Sequence, residues 1–266
     1  MSPLPFPLRA SAAALRRLAR TSQAPHLILR GGLMMRLWSG PVPRPVEDLD
    51  FLAAFPFHEG DTVDRFVDVL GVDVGDGFVF GALRSEVIWA ETPFPGVRIH
   101  VETWLPGEES PQLLRIDTGF GDPMNPPPAW LDYATDDGTT ARVLACRPET
   151  LLAWKLHGLF ERGKGRFRPK DLFDVYLLTR HAPLESALLP AALRLAFDSR
   201  GDSLDVMERL VSGELGQSPW SLEKWARYRA SEAEGRPERL SEVVTAVSVA
   251  IRPVWAAARA LPSSRP

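Results

Sequence analysis

The chain has 266 residues, with 31 Lys+Arg against 34 Asp+Glu, five His and one Cys. Its 45% apolar and 24% charged residues fit a globular chain with a large core, in one big domain or two modest ones. The lone Cys146 excludes an internal disulfide framework and a four-cysteine zinc site, and a net charge of −3 argues against a wholesale nucleic-acid coat.

Ala12 to Arg20 is helix-compatible. No long apolar stretch and cleavage site follow Arg9, Arg16 and Arg17, so no signal peptide is expected. His26-Leu27-Ile28-Leu29 is a short apolar run that stops at Gly31-Gly32. Apolar residues resume at Leu33, Met34, Met35, Leu37 and Trp38, a spacing that suits a helix. The order is therefore strand, glycine turn, helix, then a loop from Ser39 to Pro45. Asp48-Leu49-Asp50-Phe51-Leu52 alternates polar and apolar residues at first, as a half-buried strand does. Thr62 to Leu70 predicts an amphipathic helix. Strand-like segments follow at Phe78 to Leu83, Val87 to Ala90, Val97 to Thr103 and Leu113 to Thr118. A Gly- and Pro-rich loop, Gly119 to Pro128, precedes a last short strand, Arg142 to Cys146.

The character changes at Pro148. Pro148 to Arg162 has Pro in its first turn, Glu149 near its N-terminus and Gly163 after its end, the punctuation of a helix. Asp171 to Thr179 predicts a second. Leu184 to Phe197, Ser203 to Ser212, Ser221 to Arg229 and Leu240 to Ala260 read as largely helical. No uncharged apolar run approaches the roughly 18 residues that span a bilayer. The expectation is an α+β fold: a mixed sheet with flanking helices over residues 1–147 and an all-helical bundle over 148–266, cytoplasmic and without a membrane partner.

Asp48 and Asp50 stand two apart on a predicted strand, so they project to one face. Adjacent carboxylates repel unless one is protonated or a cation sits between them. A hard divalent ion such as Mg²⁺ resolves that repulsion with oxygen ligands. Gly31-Gly32 before a helix offers unobstructed backbone N–H groups, a phosphate seat. Alone, the acids read as a solvated edge strand and the glycines as a tight turn. Together, inside strand–turn–helix–strand, they point to nucleotide chemistry. Asp117 closes an apolar strand and by itself reads best as a loop residue, and Asp122 before Pro123 as a turn residue.

Lys155 falls near the apolar face set by Leu152, Leu156 and Leu159, so its stem lies against core. Its ammonium then snorkels to solvent or meets an anion. Asp171 and Asp174 share a helical face on a segment that is apolar nearly all round. Buried carboxylates need partners, and Lys155, Arg162, Lys170 or a metal could serve. A structural salt bridge is an equal expectation for Asp174, and helix capping a further one for Asp171. Gly163 to Lys170 is the one strongly basic stretch, a solvated turn or a hold for triphosphate or RNA. His157 and Cys146 read as structural core residues.

The segment LILRGGLMMRLWSGPVPRPVEDLDFL resembles the first motif of the AbiEii/AbiGii-type nucleotidyltransferase toxins, minimal nucleotidyltransferases of the DNA polymerase β-like superfamily. The matching positions are Gly31, Gly32, Arg36, Arg44, Asp48 and Asp50. LLRIDTGFGDPMNPPP is similar to the family's strand with a third Asp, here Asp117. RPETLLAWKLHGLFERGKGRFRPKDLFDVYLL is similar to its block with Lys on one helix and Asp on the next. The resemblance covers about residues 25 to 180. It implies a nucleotidyltransferase-like catalytic domain followed by a helical domain. The implied reaction moves a nucleoside monophosphate from an NTP to an acceptor: RNA such as a tRNA 3′ end, or protein. It further implies the toxin of a toxin–antitoxin pair, with a separate antitoxin protein as partner. Asp48, Asp50 and Asp117 are expected to hold one or two Mg²⁺ ions. Gly31, Gly32, Arg36, Arg44 and Lys155 are expected to bind nucleotide, with Asp48, Asp50, Lys155 and Asp171 catalytic. One position departs. The family usually has Ser or Thr directly after Gly-Gly, contacting phosphate, and here it is Leu33. The alternative expectation is a weak or inactive member that binds nucleotide or a partner.

Overall fold

A computed structural model describes residues 4–42, 44–135, 138–161, 167–231 and 235–263. Arg162 and the first half of the basic stretch, residues 163–166, lie outside the described residues. The chain divides into two compact units. One comprises Met1–Met34, Pro45–Asp122 and Pro128–Cys146, and the other Met35–Arg44, Pro123–Pro127 and Arg147–Pro266. Each is thus discontinuous in sequence.

The first unit is built on a seven-stranded mixed sheet. Its strands are β1 (Leu27–Arg30), β2 (Leu49–Ala53), β3 (Val79–Ile88), β4 (Gly96–Trp104), β5 (Gln112–Gly119), β6 (Ala129–Ala134) and β7 (Thr140–Ala145). Their order in space is β3-β4-β5-β2-β1-β7-β6. The β2–β5 and β1–β7 pairings are parallel and the others antiparallel. Helices α1 (Phe6–Leu18) and α3 (Glu59–Leu70) pack on one face, where Leu29, Phe51 and Val97 are buried and Phe51 meets Phe66 of α3. Alternation along β4 is the cause: Val97, Ile99 and Val101 are fully buried, while Arg98, His100 and Glu102 point to the other face. That second face carries the charges.

Several elements differ from the sequence expectation. The helix α2 (Gly31–Trp38) starts at the glycine pair itself, with no turn between it and β1. Its first turn belongs to the first unit and the rest to the second. The helix α3 begins a turn early because His58 caps it, accepting from the Asp61 N–H, with Glu59 and Asp61 in the first turn. The two segments around Arg84-Ser85-Glu86 form one strand, β3, with a register shift between Phe80 and Leu83. It is an edge strand, where exposed polar residues are tolerated. The other edge strand, β6, falls between the expected loop and the expected last strand, where no element is predicted.

The second unit is helical: α4 (Pro148–Gly158), α5 (Pro169–His181), α6 (Leu189–Asp198), a 3-10 turn (Leu204–Met207), α7 (Glu208–Val211), α8 (Pro219–Ser231) and α9 (Leu240–Ala260). The helix α6 starts five residues later than Leu184, with Pro190 in its first turn, where a missing N–H costs nothing. The helix α9 packs on α5, α6 and α7 through Val243, Val244, Val247 and Ile251. By length and composition alone it could cross a membrane, the one such helix among the described residues. Its buried face, the Trp255 Nε1 bond to the Leu204 carbonyl and the Arg252 bonds to the Val211 carbonyl tie one side of it into this unit.

Candidate active site

Strand register assembles a row of charges on the second face of the sheet. Arg30 on β1 lies opposite Asp50 on β2, Asp50 beside Asp117 on β5, Asp117 opposite Arg98 on β4, and Arg98 opposite Glu86 on β3. Cross-strand partners share a face, so five strands contribute to one rung. Asp48, two residues before Asp50, joins it from the mouth of β2. Ligand oxygens of Asp48, Asp50 and Asp117 all lie within 4.8 Å of one another. Asp117 is not a loop residue: it sits inside β5, buried, with strands on both sides.

Each acid has a protein partner. Arg98 grips Asp117 bidentately, Nε to Oδ1 at 2.8 Å and Nη2 to Oδ2 at 2.7 Å. Arg115 Nη2 donates to Asp48 Oδ2 at 2.6 Å. The Gly32 N–H donates to Asp50 Oδ2 at 3.2 Å. The amide expected to seat phosphate is therefore directed at Asp50. Gly31 has φ +69°, and a Cβ there would fall 1.9 Å from Asp50 Oδ2. Only glycine allows that carboxylate to lie over the helix start. Arg30 turns to Asp122 at 2.8 Å and passes Gly119, where a Cβ would sit 2.4 Å from its Nη2. Asp122 is thus half of a buried ion pair as well as part of a loop.

Burial and then the neighbouring carboxylate of Asp48 push the Asp50 carboxyl up to about 6, with Asp117 adding to the effect and Arg30 and the Gly32 N–H opposing it. A buried carboxyl beside a second carboxylate is held toward its neutral form. The donor set fits a hard divalent cation: three carboxylates, each with about four acceptor positions, of which the arginines use only some. Burial pushes the nearby Cys146 thiol up to about 12, so it is inert.

Leu33, at the position where the resemblance implies a hydroxyl, is buried in the core side of α2. It is a packing residue here, and no hydroxyl contact can arise from it. Arg36 is exposed on α2.

In the second unit, Lys155, Asp171, Asp174 and Arg44 form another cluster. Lys155 Nζ lies 2.8 Å from Asp174 Oδ2 and 3.6 Å from Asp171 Oδ1. Arg44 holds Asp174 bidentately, at 2.7 and 3.1 Å. Burial disfavours the charged form of Lys155, but Asp174 and Asp171 outweigh it and hold the ammonium above the ordinary lysine range. Burial would likewise raise Asp174, but Lys155 and Arg44 outweigh it and hold the carboxyl low. Arg44, expected at nucleotide, is committed to this buried pair. Asp171 does not cap α5, whose first residue is Pro169; it lies in the first turn near Lys155 and Arg168. His157 is structural, its Nε2 2.7 Å from Asp202.

The family model described as "Nucleotidyl transferase AbiEii toxin, Type IV TA system" matches residues 13–257. The chain belongs to this AbiEii family. Membership makes it a nucleotidyltransferase by class. No curated protein matches the sequence. Among solved structures the AbiEii-family chain is similar to JHP933 from Helicobacter pylori, with a TM-score of 0.58 at 17% identity over 97% of this chain and 95% of that one. It is also similar to a solved structure described as a nucleotidyltransferase from H. pylori, with a TM-score of 0.52 at 15% identity over 97% and 99% of the two chains. At these identities the likeness is one of fold.

Arg98 and Arg115 were missed in the sequence. The alternation of Val97, Ile99 and Val101 was the available signal, since it puts Arg98 on the face away from the core. Their partners, however, follow only from the pairing of β4, β5 and β2.

Proposed function

We propose that this AbiEii-family chain transfers a nucleoside monophosphate from an NTP to an acceptor, either RNA such as a tRNA 3′ end or a protein. In that reading it acts as the toxin of a two-component system with a separate antitoxin. The observation that carries the reaction is the convergence of Asp48, Asp50 and Asp117 within 4.8 Å from positions up to 69 residues apart in the chain. In this reading the three acids hold Mg²⁺, one or two ions. A divalent ion bound to such acids supplies charge neutralisation and Lewis-acid polarisation of phosphoryl oxygens.

The chain's own residues have distinct tasks. Gly31 keeps the space over Asp50 clear, and the Gly32 N–H holds Asp50 oriented. Arg36, exposed, is available to a nucleotide phosphate. Lys155 keeps its charge because Asp174 and Asp171 hold it, so it can meet an anionic phosphate without losing its proton. Arg44 acts through Asp174, as a positioning residue.

Incubation of the protein with labelled NTP, Mg²⁺ and total RNA tests the proposal. Label transferred to RNA or protein, and lost in Asp50→Asn, is the expected result. A second reading, a non-catalytic nucleotide binder, is favoured by the buried Leu33. It predicts a shift in melting temperature with NTP and no labelled product.

A further inference from the structure

Two of the three acids proposed to hold metal are already wired to the protein's own cations. Arg98 takes both oxygens of Asp117, and Arg115 takes one of Asp48. These two side chains are 28% and 33% exposed, against 6% for Asp117. They retain unused donors. Arg115 Nε is buried with no hydrogen-bond partner among the described residues. Arg98 Nη1 lies 3.9 Å from Glu86, beyond a hydrogen bond. A guanidinium fork fits phosphate as well as carboxylate.

The charges set up a conflict for each ligand taken singly. A divalent cation entering the triad meets two guanidinium groups bonded to its prospective ligands, and like charges in a half-buried site repel. A triphosphate arriving alone meets three acids. Arriving together, the two ligands remove both conflicts: the cation takes the carboxylates and the phosphates take the released guanidinium donors. On the reading of Asp48, Asp50 and Asp117 as the metal-holding set, we propose that Arg98 and Arg115 couple cation binding to triphosphate binding, so that each ligand is held tightly only in the presence of the other. Thermodynamic linkage makes the coupling reciprocal.

The test is calorimetric titration of the full chain with Mn²⁺ alone and with a preformed 1:1 complex of Mn²⁺ and a non-hydrolysable nucleoside triphosphate. The proteins are the wild type, Arg98→Gln, Arg115→Gln, Arg98→Lys and Asp50→Asn. Each Gln variant is expected to bind Mn²⁺ alone about tenfold more tightly and the complex about tenfold more weakly than wild type. Arg98→Lys keeps the charge without the fork and should fall between. Arg115→Gln, on the more exposed side chain, carries the test if Arg98→Gln does not fold. A merely structural arginine would not tighten metal binding when removed. Gln variants that bind Mn²⁺ alone no more tightly than wild type would overturn the coupling and leave the metal assignment standing. Failure of the wild type to bind the complex, or undiminished binding by Asp50→Asn, would overturn the metal assignment and the coupling with it.

Discussion

The two ionic clusters contain similar residues and behave in opposite ways. In the helical unit, Asp174 and Asp171 are matched by Arg44 and Lys155, with Arg168 beside Asp171. Every resolved shift there keeps the charge on: Lys155 is held high and Asp174 low. In the sheet unit, Arg98 and Arg115 each serve an acid, but Asp50 has only a backbone N–H and is pushed up toward a neutral form. A cluster that satisfies itself is built to last. A cluster that leaves one carboxylate wanting a cation is built to receive something. Direction of shift, more than number of charges, separates the two.

The largest expected effect sharpens that contrast. Asp50→Asn or Asp117→Asn should cut transfer by roughly 10³-fold, the scale of losing a preorganised electrostatic group. Asp50→Asn should nevertheless leave the apo protein at least as stable at pH 8, because it removes an unfavourable carboxylate. Loss of activity with a lower melting temperature would contradict the assignment of Asp50 as a strained ligand.

The converse substitution belongs to the other cluster. Asp174→Ala strands Arg44 and Lys155 without their buried partner, and breaking such a set costs about 3–5 kcal/mol. Denaturant unfolding measures it. A loss under about 1 kcal/mol would mean that the cluster is not the lock described here. Leu33→Ser should cost about 2–4 kcal/mol as a core truncation and give no gain in turnover. A rise in kcat or a fall in KM for NTP would show that the family's hydroxyl contact can be restored, contrary to the buried position of Leu33.

The pH response offers the gentlest discrimination. Asp50 is raised above its unfolded value of 3.8, so the fold prefers its protonated form. The stability it contributes is present at low pH and is lost as pH rises through about 6. Cation binding needs the ionised form, so stabilisation by Mg²⁺ should be small below that pH and grow above it. The contribution of Asp174, held low, is present above the ordinary carboxylate range and lost as pH falls through and below it; that of Lys155, held high, is present below the ordinary lysine range and lost only as pH rises through and above it. Amide protection in β2 and β5, corrected for the intrinsic pH dependence of exchange, should therefore fall between pH 5 and 7, while corrected protection in α4 and α5 stays flat. Equal responses would erase the distinction between the clusters.

Much of the site was legible before any coordinates. Period-two alternation put Asp48 and Asp50 on one face, and the glycine pair between a strand and a helix marked where backbone comes close. The Lys155 stem was expected against the core from its angle to Leu152, Leu156 and Leu159. Harder to read were residues whose meaning depends on a neighbour strand. Asp117 read by itself as a loop acid, and only the family resemblance joined it to Asp48 and Asp50, because the parallel pairing of β2 with β5 is not encoded locally. Arg98 and Arg115 went unremarked for the same reason. The edge strand β3 was read as two strands and β6 was missed, because exposed strands carry polar residues that mimic loops.

Local chemistry therefore determined the strand–glycine–helix unit, the alternating faces and the helical half, since periodicity and punctuation act over a few residues. Tertiary pairing alone decided which acids meet, which arginines neutralise them and that Leu33 turns inward. Those outcomes depend on contacts between residues tens of positions apart, and their energies exist only once the sheet has closed.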